Sequence, residues 1–279
     1  PLPMNSKDLI TAGRLLEARK QLVEEVKSFP ADFGKRTLLF QVLAFCGEWD
    51  KAERHLDAIA GQDSSRETGV QVYKNLIHAE RERMEVSELN ARSSFLSETP
   101  PYLEIYYAAR EKVVEKKMEE AKELFDQIDA RRPMISGTVN GKRFTGFKDT
   151  DTFLSFFLEA IVYERYVWIP FESIRELSVD SPTSLFDLLW ITARITTWEG
   201  LTTNCYLPVL YPGSFLHEDE RVKLGRMTDW TPPGGPFSKG MGQHVFHAGQ
   251  EEMAILDIRE VVFNIPDSEN AVEHQEEND

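Results

Sequence analysis

The segment Ala12-Gly13-Arg14-Leu15-Leu16-Glu17-Ala18 returns 34 positions later as Cys46-Gly47-Glu48-Trp49-Asp50-Lys51-Ala52, and no other feature constrains the fold as tightly. A period of this size belongs to helix–turn–helix units stacked on copies of themselves. In the first copy Gly13 is followed by Leu15, Ala18, Leu22 and Pro30. In the second Gly47 is followed by Trp49, Ala52, Leu56 and Ile59, with Leu39 and Leu43 on the helix before it and Ser64 where the proline would fall. Glycine permits the sharp reversal, alanine lets two helix axes approach closely, and proline cannot continue a helix. A third copy, Met118, Ala121, Phe125, Ile128 and Pro133, keeps the alanine-to-proline interval but carries Lys116 at the turn.

This is the tetratricopeptide (TPR) pattern. It predicts a TPR-like array of α-helical hairpins over residues 4–132. Between the second and third units the apolar spacing of Val70, Tyr73, Leu76, Ile77 and Met84 predicts one long helix over 67–88. Thr99-Pro100-Pro101 breaks the chain, and a further helix is expected over 102–130. Such arrays present a concave face to a peptide or helix, lined by the first helix of each unit. Lys7, Ile10, Thr37, Gln41 and Ala44 are the positions expected to point there. The alternative is that the rest of the chain covers this face.

From residue 133 the pattern turns to aromatics, β-branched residues and turns, and a smaller α+β domain with an antiparallel sheet is expected over 133–265. Asn140-Gly141 between short extended runs is the strongest two-residue hairpin signal, because both positions favour positive φ. Asp149-Thr150-Asp151 reads as the cap of a helix carrying Phe153, Phe156, Phe157, Ala160 and Ile161. Pro170 and Ser181-Pro182 read as the starts of two short helices, the second with Leu185, Leu188, Leu189 and Trp190. Strands are expected at 191–197, 204–210, 243–246 and 254–263, with an irregular loop at 229–242. Residues 266–279 carry six acidic residues and no Lys or Arg, which predicts a disordered acidic tail.

Composition excludes several functions. The formal charge of −15 repels phosphate backbones, so nucleic acid is not an expected partner. The strongest basic cluster is Arg131, Arg132, Lys142, Arg143 and Lys148; it reads first as solvated surface and second as an anion-binding patch. No apolar run approaches the ~20 residues that cross a bilayer. Pro1-Leu2-Pro3 before Met4 reads as an expression remnant, no secretory signal follows it, and two cysteines, Cys46 and Cys205, suit a reducing compartment. A cytoplasmic location is expected.

Candidate chemistry is sparse. His244, His247 and Glu251 suggest metal ligands, but strand alternation sets the two histidines on opposite faces. Asp149 and Asp151 form a carboxylate pair that capping explains more simply. There is no P-loop, nucleophile elbow or dinucleotide fingerprint. A non-enzymatic protein without metal or cofactor is expected. The alternative is an enzyme or small-molecule- or metal-binding module near Trp168, Tyr211 and Asp229. A TPR co-chaperone ranks last, since Lys7 alone among the groove positions could clamp a carboxylate.

Several motifs in fixed order resemble the ImpE/TagJ family, accessory components of bacterial type VI secretion systems. They include the two repeat turns, Arg132-Pro133 leading to Asn140-Gly141, Asp149-Thr150-Asp151 and Tyr166-Val167-Trp168-Ile169-Pro170-Phe171. Asp187-Leu188-Leu189-Trp190, the 207–214 run Leu-Pro-Val-Leu-Tyr-Pro-Gly-Ser and the 224–230 run Leu-Gly-Arg-Met-Thr-Asp-Trp complete the set. The resemblance implies an adaptor at the contractile sheath. Its implied partners are the small sheath subunit, through that subunit's N-terminal helix, and the AAA+ ATPase that recycles contracted sheath.

Overall fold

The computed structural model describes residues 4–264; the acidic tail expected at 266–279 lies outside them. The described chain opens with five helices, α1 (Ser6–Thr11), α2 (Leu15–Ser28), α3 (Phe33–Phe45), α4 (Trp49–Gln62) and α5 (Glu67–Ser87). A two-residue strand β1 (Ser94–Phe95) follows, then α6 (Leu103–Val114) and α7 (Met118–Arg131). The hairpins α1/α2, α3/α4 and α6/α7 are the three repeats. Their turns hold Gly13 at φ 79°, Gly47 at φ 68° and Lys116 at φ 62°, so the lysine adopts the left-handed conformation that the glycines adopt without strain. The helix expected over 102–130 is therefore two helices broken at this turn. Asn5 and Asp32 cap α1 and α3 by accepting from Asp8 N and Lys35 N. Ala18, Ala52 and Ala121 are completely buried, as close helix crossing requires.

The remaining elements are β2 (Ser136–Val139), β3 (Lys142–Thr145), β4 (Phe147–Asp149), β5 (Phe157–Val162), β6 (Arg165–Pro170), β7 (Ile174–Val179), β8 (Trp190–Thr197) and β9 (Thr202–Pro208). They continue with a short helix α8 (Glu220–Lys223), then β10 (Thr228–Gly234), β11 (Phe237–Gly242), β12 (Val245–Ala248), β13 (Glu251–Ala254) and β14 (Glu260–Phe263). The described residues build a nine-stranded sheet in the order β1-β6-β5-β9-β8-β7-β14-β2-β3, a three-stranded sheet β13-β12-β4 and a ribbon β10-β11. The fold is α+β. Neighbours in the large sheet are antiparallel except β1, which the helical half contributes parallel to β6. Asn140 (φ 48°) and Gly141 (φ 81°) form the β2–β3 turn, where the hairpin was expected.

Several sequence expectations are corrected. No helix follows Asp149-Thr150-Asp151: the two carboxylates cap consecutive turns, Asp149 Oδ1 accepting from Asp151 N and Asp151 Oδ1 from Phe153 N, both at 2.8 Å. The apolar run beyond becomes β5, all six residues of which are buried. A strand covered on both faces loses its alternation and mimics a helix. The two short helices shrink to single 3-10 turns, Phe171–Ser173 and Phe186–Leu188, running into β7 and β8. The loop expected at 229–242 is the ribbon β10-β11, whose Pro232 and Pro233 sit on an edge strand where no ladder N–H is missed. The strand expected over 254–263 is divided by a turn at Ile255–Asp257.

The hydrophobic core is one continuous cluster from Leu9 to Phe263. Where α6 and α7 meet β5 and β6 it is aromatic. Tyr106 meets Trp168 edge-on at 5.5 Å, and Phe157 stacks on Trp168 at 4.7 Å.

Candidate functional site

Residues of α1 and α3, the first helices of repeats one and two, line a cleft of about 550 Å³, to which they contribute Lys7, Ile10, Leu38 and Gln41. A second hollow of about 380 Å³ continues it past Lys7 and Leu38 to Asn5, Glu25 and Asp32. The two hollows share Lys7 and Leu38.

The far wall is not helical. Residues 182–185 and Leu188 supply it, held by a single carboxylate: Asp187 Oδ2 accepts from Thr183 N and Ser184 N at 2.8 Å and from both hydroxyls at 3.1 Å. Phe186 anchors the turn edge-on against Tyr73 of α5 at 4.6 Å, and Tyr73 meets Phe40 of α3 at 4.9 Å. Leu185 and Leu188 are thereby presented to the groove.

The base is sealed by the segment around α8. Arg226 donates to Thr11 O at 2.7 Å and Ile10 O at 2.6 Å, closing the C-terminus of α1, and Glu220 Oε2 accepts from Leu16 N at 2.9 Å at the start of α2. A cation at the carbonyl end and an anion at the amide end both match the helix dipole. Phe215 covers the second turn so closely that a Cβ on Gly47 would lie 2.3 Å from its ring. Glycine at 47 is thus needed for packing as well as for φ.

Lys7, Ile10 and Gln41 line the groove together. Thr37 is half-buried one turn before Gln41 on α3, outside the cleft lining. Ala44 is buried and lines a cavity of about 30 Å³ shared with Trp49, Leu210 and Tyr211, so residues of the second half of the chain cover it. Sequence reasoning missed Leu38, Leu185, Leu188 and Arg226. Leu185 and Leu188 carried an apolar signal, read as a helix face; Arg226 acts on carbonyls 215 and 216 positions away and left no local signal.

A second constellation is wholly buried. Arg83 of α5 makes a two-pronged bond to Glu159 of β5 (2.9 and 2.7 Å), donates to Leu210 O at 2.5 Å and lies 3.3 Å from Glu80. Trp190 Nε1 donates to Glu80 at 2.8 Å and Tyr166 OH to Glu159 at 2.5 Å. His244 spans two carboxylates, Nδ1 to Asp149 at 2.7 Å and Nε2 to Glu159 at 2.9 Å, while Tyr211 OH donates to Asp149 at 2.7 Å. Burial disfavours the His244 cation, but Asp149 and Glu159 outweigh it and raise its pKa to about 9. Burial likewise opposes the Glu159 charge, yet Arg83 and His244 hold that carboxyl well below the usual range. Asp151 is pushed up to about 6, by burial and then by the charge of Asp149.

This cluster ties α5 to the strands and to the loop at Leu210. When protonated between Asp149 and Glu159, His244 donates from both nitrogens and keeps no lone pair for a metal or for general-base work. The space beside Glu159 and His244 has essentially no room for water, about 0 Å³, and the cavity at Arg83 and Tyr211 holds about 30 Å³, room for roughly one water. Its bonds join α5 to the sheet. His247 lies on the opposite face, half-exposed, and Asp229 is exposed and pairs with His217 at 3.0 Å. Among the described residues no three His, Cys, Asp or Glu groups converge as a metal site. Burial pushes the thiols of Cys46 and Cys205 up to about 11 and about 12, away from nucleophilic use.

The family model described as "ImpE protein" matches residues 141–262. A Pseudomonas aeruginosa protein, the type VI secretion system accessory component TagJ, is 33% identical over 267 residues, spanning 96% of this chain and 94% of its own length. The crystal structure of protein VPA1032 from Vibrio parahaemolyticus superposes with a TM-score of 0.84 at 22% identity, covering 93% of this chain and 97% of that one, a likeness of fold. With a curated relative this similar along nearly the whole chain, the protein belongs to the ImpE/TagJ family.

Proposed function

We propose that the protein is a non-enzymatic, cytoplasmic adaptor of a bacterial type VI secretion system, whose concave groove seats the N-terminal helix of the small contractile-sheath subunit. The observation that carries this reading is the groove. Ile10, Leu38, Leu185 and Leu188 offer apolar contacts between two helices and a fixed wall, with Lys7, Gln41 and Thr183 for the polar flank; an amphipathic helix needs such a seat. The system is taken from the name of the Pseudomonas relative, and the partner from the family resemblance. The clamp around Arg83 supports an adaptor over an enzyme, because it spends the chain's best acid–base groups on joining the helices to the sheet. Among the described residues no helix is long and apolar enough to cross a membrane.

A fluorescent peptide of the sheath subunit's N-terminal helix is expected to bind the purified chain, and Leu38→Asp or Gln41→Trp to weaken binding at least tenfold while the circular dichroism spectrum is unchanged. Equal affinity for wild type and both variants would remove the groove from the mechanism.

A further inference from the structure

Asn140-Gly141 is the single Asn-Gly step of the chain, and such a step carries chemistry besides its turn geometry. The Gly141 nitrogen, which no side chain shields, attacks Asn140 Cγ. The new N–Cγ bond closes a five-membered succinimide, the Cγ–Nδ2 bond breaks, and Nδ2 leaves as ammonia. Water then opens the ring at either carbonyl, giving aspartate or isoaspartate at position 140 without an enzyme. Both residues are exposed, so the water and hydroxide that this needs reach them.

The fold restrains the first step. Asn140 Nδ2 donates to Asp257 O at 2.9 Å, and Oδ1 accepts from Arg259 N at 2.8 Å and Glu260 N at 3.1 Å. Asn140 N donates to Glu260 O at 2.8 Å. Main chain and side chain of this one residue are thus both held on the segment 257–260, where β14 begins beside β2. Turning Cγ onto the Gly141 nitrogen requires release of the three side-chain bonds. Because β3 is the outermost strand of the large sheet, the hairpin can lift locally while the rest stays folded.

We infer that Asn140-Gly141 is a fold-gated modification site: its bonds to 257–260 keep Asn140 unconverted, and local release of the turn commits it to aspartate or isoaspartate. Refolding does not reverse the change. Aspartate still accepts from Arg259 N and Glu260 N, but it sets an oxygen against Asp257 O where Nδ2 donated, and it adds charge beside Glu260. Isoaspartate inserts a methylene into the main chain of a two-residue turn closed by Val139 and Lys142. Either product loosens the end of the sheet.

Incubation of the full chain in mildly alkaline H2 18O, with peptide mapping by mass spectrometry, tests this, since each conversion leaves one 18O at position 140. The native chain is expected to convert at least tenfold more slowly than the chain unfolded in urea, and its rate to climb at urea concentrations below the unfolding midpoint. Arg259→Pro deletes one of the two N–H donors to Oδ1 without touching Asn140; Ile258 already holds ψ 132°, the extended conformation that a following proline needs. This variant should convert at least threefold faster than wild type with an unchanged circular dichroism spectrum. Equal rates in native and unfolded chains overturn the proposal. So does a rate that rises only with global unfolding, which would credit the whole fold rather than these bonds; this arm stands even where Arg259→Pro does not fold. A folded Arg259→Pro that converts at the wild-type rate also overturns it.

Discussion

Arg83 holds together groups that water would otherwise have to solvate. It is 3% exposed and bonds two carboxylates, Glu159 at 2.7 Å and Glu80 at 3.3 Å. Arg83→Met keeps much of the volume but leaves Glu159 with His244 and Tyr166 and Glu80 with Trp190, neither with its guanidinium. Breaking one side of a buried pair costs about 3–5 kcal/mol, and urea denaturation should read a loss of that size. Adding Glu159→Gln should restore part of it, because the stranded charge is removed; a double variant no more stable than Arg83→Met would refute the pairing. His244 makes the same network pH-dependent. Its folded pKa of about 9 exceeds the ordinary 6.5, so its stabilisation is complete below pH 6.5 and is lost as pH rises through 9, a change of roughly 3 kcal/mol at ~1.4 kcal/mol per decade. Asp151, raised from 3.8 to about 6, also favours the lower pH between those two values. Glu159, held below its ordinary 4.5, acts oppositely: its contribution is present above pH 4.5 and drains away as pH falls below it. Urea midpoints should therefore decline from pH 6.5 to 9.5, and His244→Gln should flatten that decline. A wild-type midpoint constant across this range would contradict the assignment.

At the scale of elements, Arg226 shows how a distant side chain completes a repeat. Its planar fork closes two α1 carbonyls at 2.6 and 2.7 Å. Arg226→Ala should cost about 1–2 kcal/mol, reduced by its exposure, and speed amide exchange at residues 12–14. Arg226→Lys should recover little, since one ammonium cannot reproduce the fork; full recovery would mean that charge alone matters. The hairpins were legible from Gly13, Gly47 and the alanines because each such residue does its work within its own hairpin. β2–β3 was legible for the same reason, from Asn140-Gly141. The failures share a different cause. β5 is covered on both faces, so tertiary burial erased its period. Leu185, Leu188 and Trp190 carry helical spacing, yet the chain leaves the helix after one turn because Trp190 enters a ladder with Pro208. Of the groove positions read from repeat geometry, Lys7, Ile10 and Gln41 line the cleft. The wall opposite them comes from 182–188, which no repeat pattern encodes, and the covering of Ala44 depends on 210–215.

For the whole molecule, the question is whether the helical and sheet-rich halves unfold together. The core is continuous, β1 is a strand of the large sheet lent by the helical half, and charged or polar bonds cross at separate places. Arg83 meets Glu159, Glu80 meets Trp190, Tyr102 meets Glu172 at 2.5 Å, and Arg226 meets Ile10. Melting the helices alone would strand Glu159, His244 and the inner face of β5–β6, so partial unfolding leaves buried charge without partners. Probes of the two halves can be separated, because Trp168, Trp190, Trp198 and Trp230 lie in the sheet-rich half and Trp49 alone lies in a helix. Tryptophan fluorescence therefore follows mainly the sheet, and ellipticity at 222 nm mainly the helices. Both should give one urea midpoint and one slope, as expected for a single cooperative unit. In Arg83→Met the midpoints should fall together if the remaining packing still couples the halves. A fluorescence transition that separates from the helical one in the variant, but not in wild type, would assign the coupling to this one guanidinium; separation already in wild type would mean that the halves are stable independently.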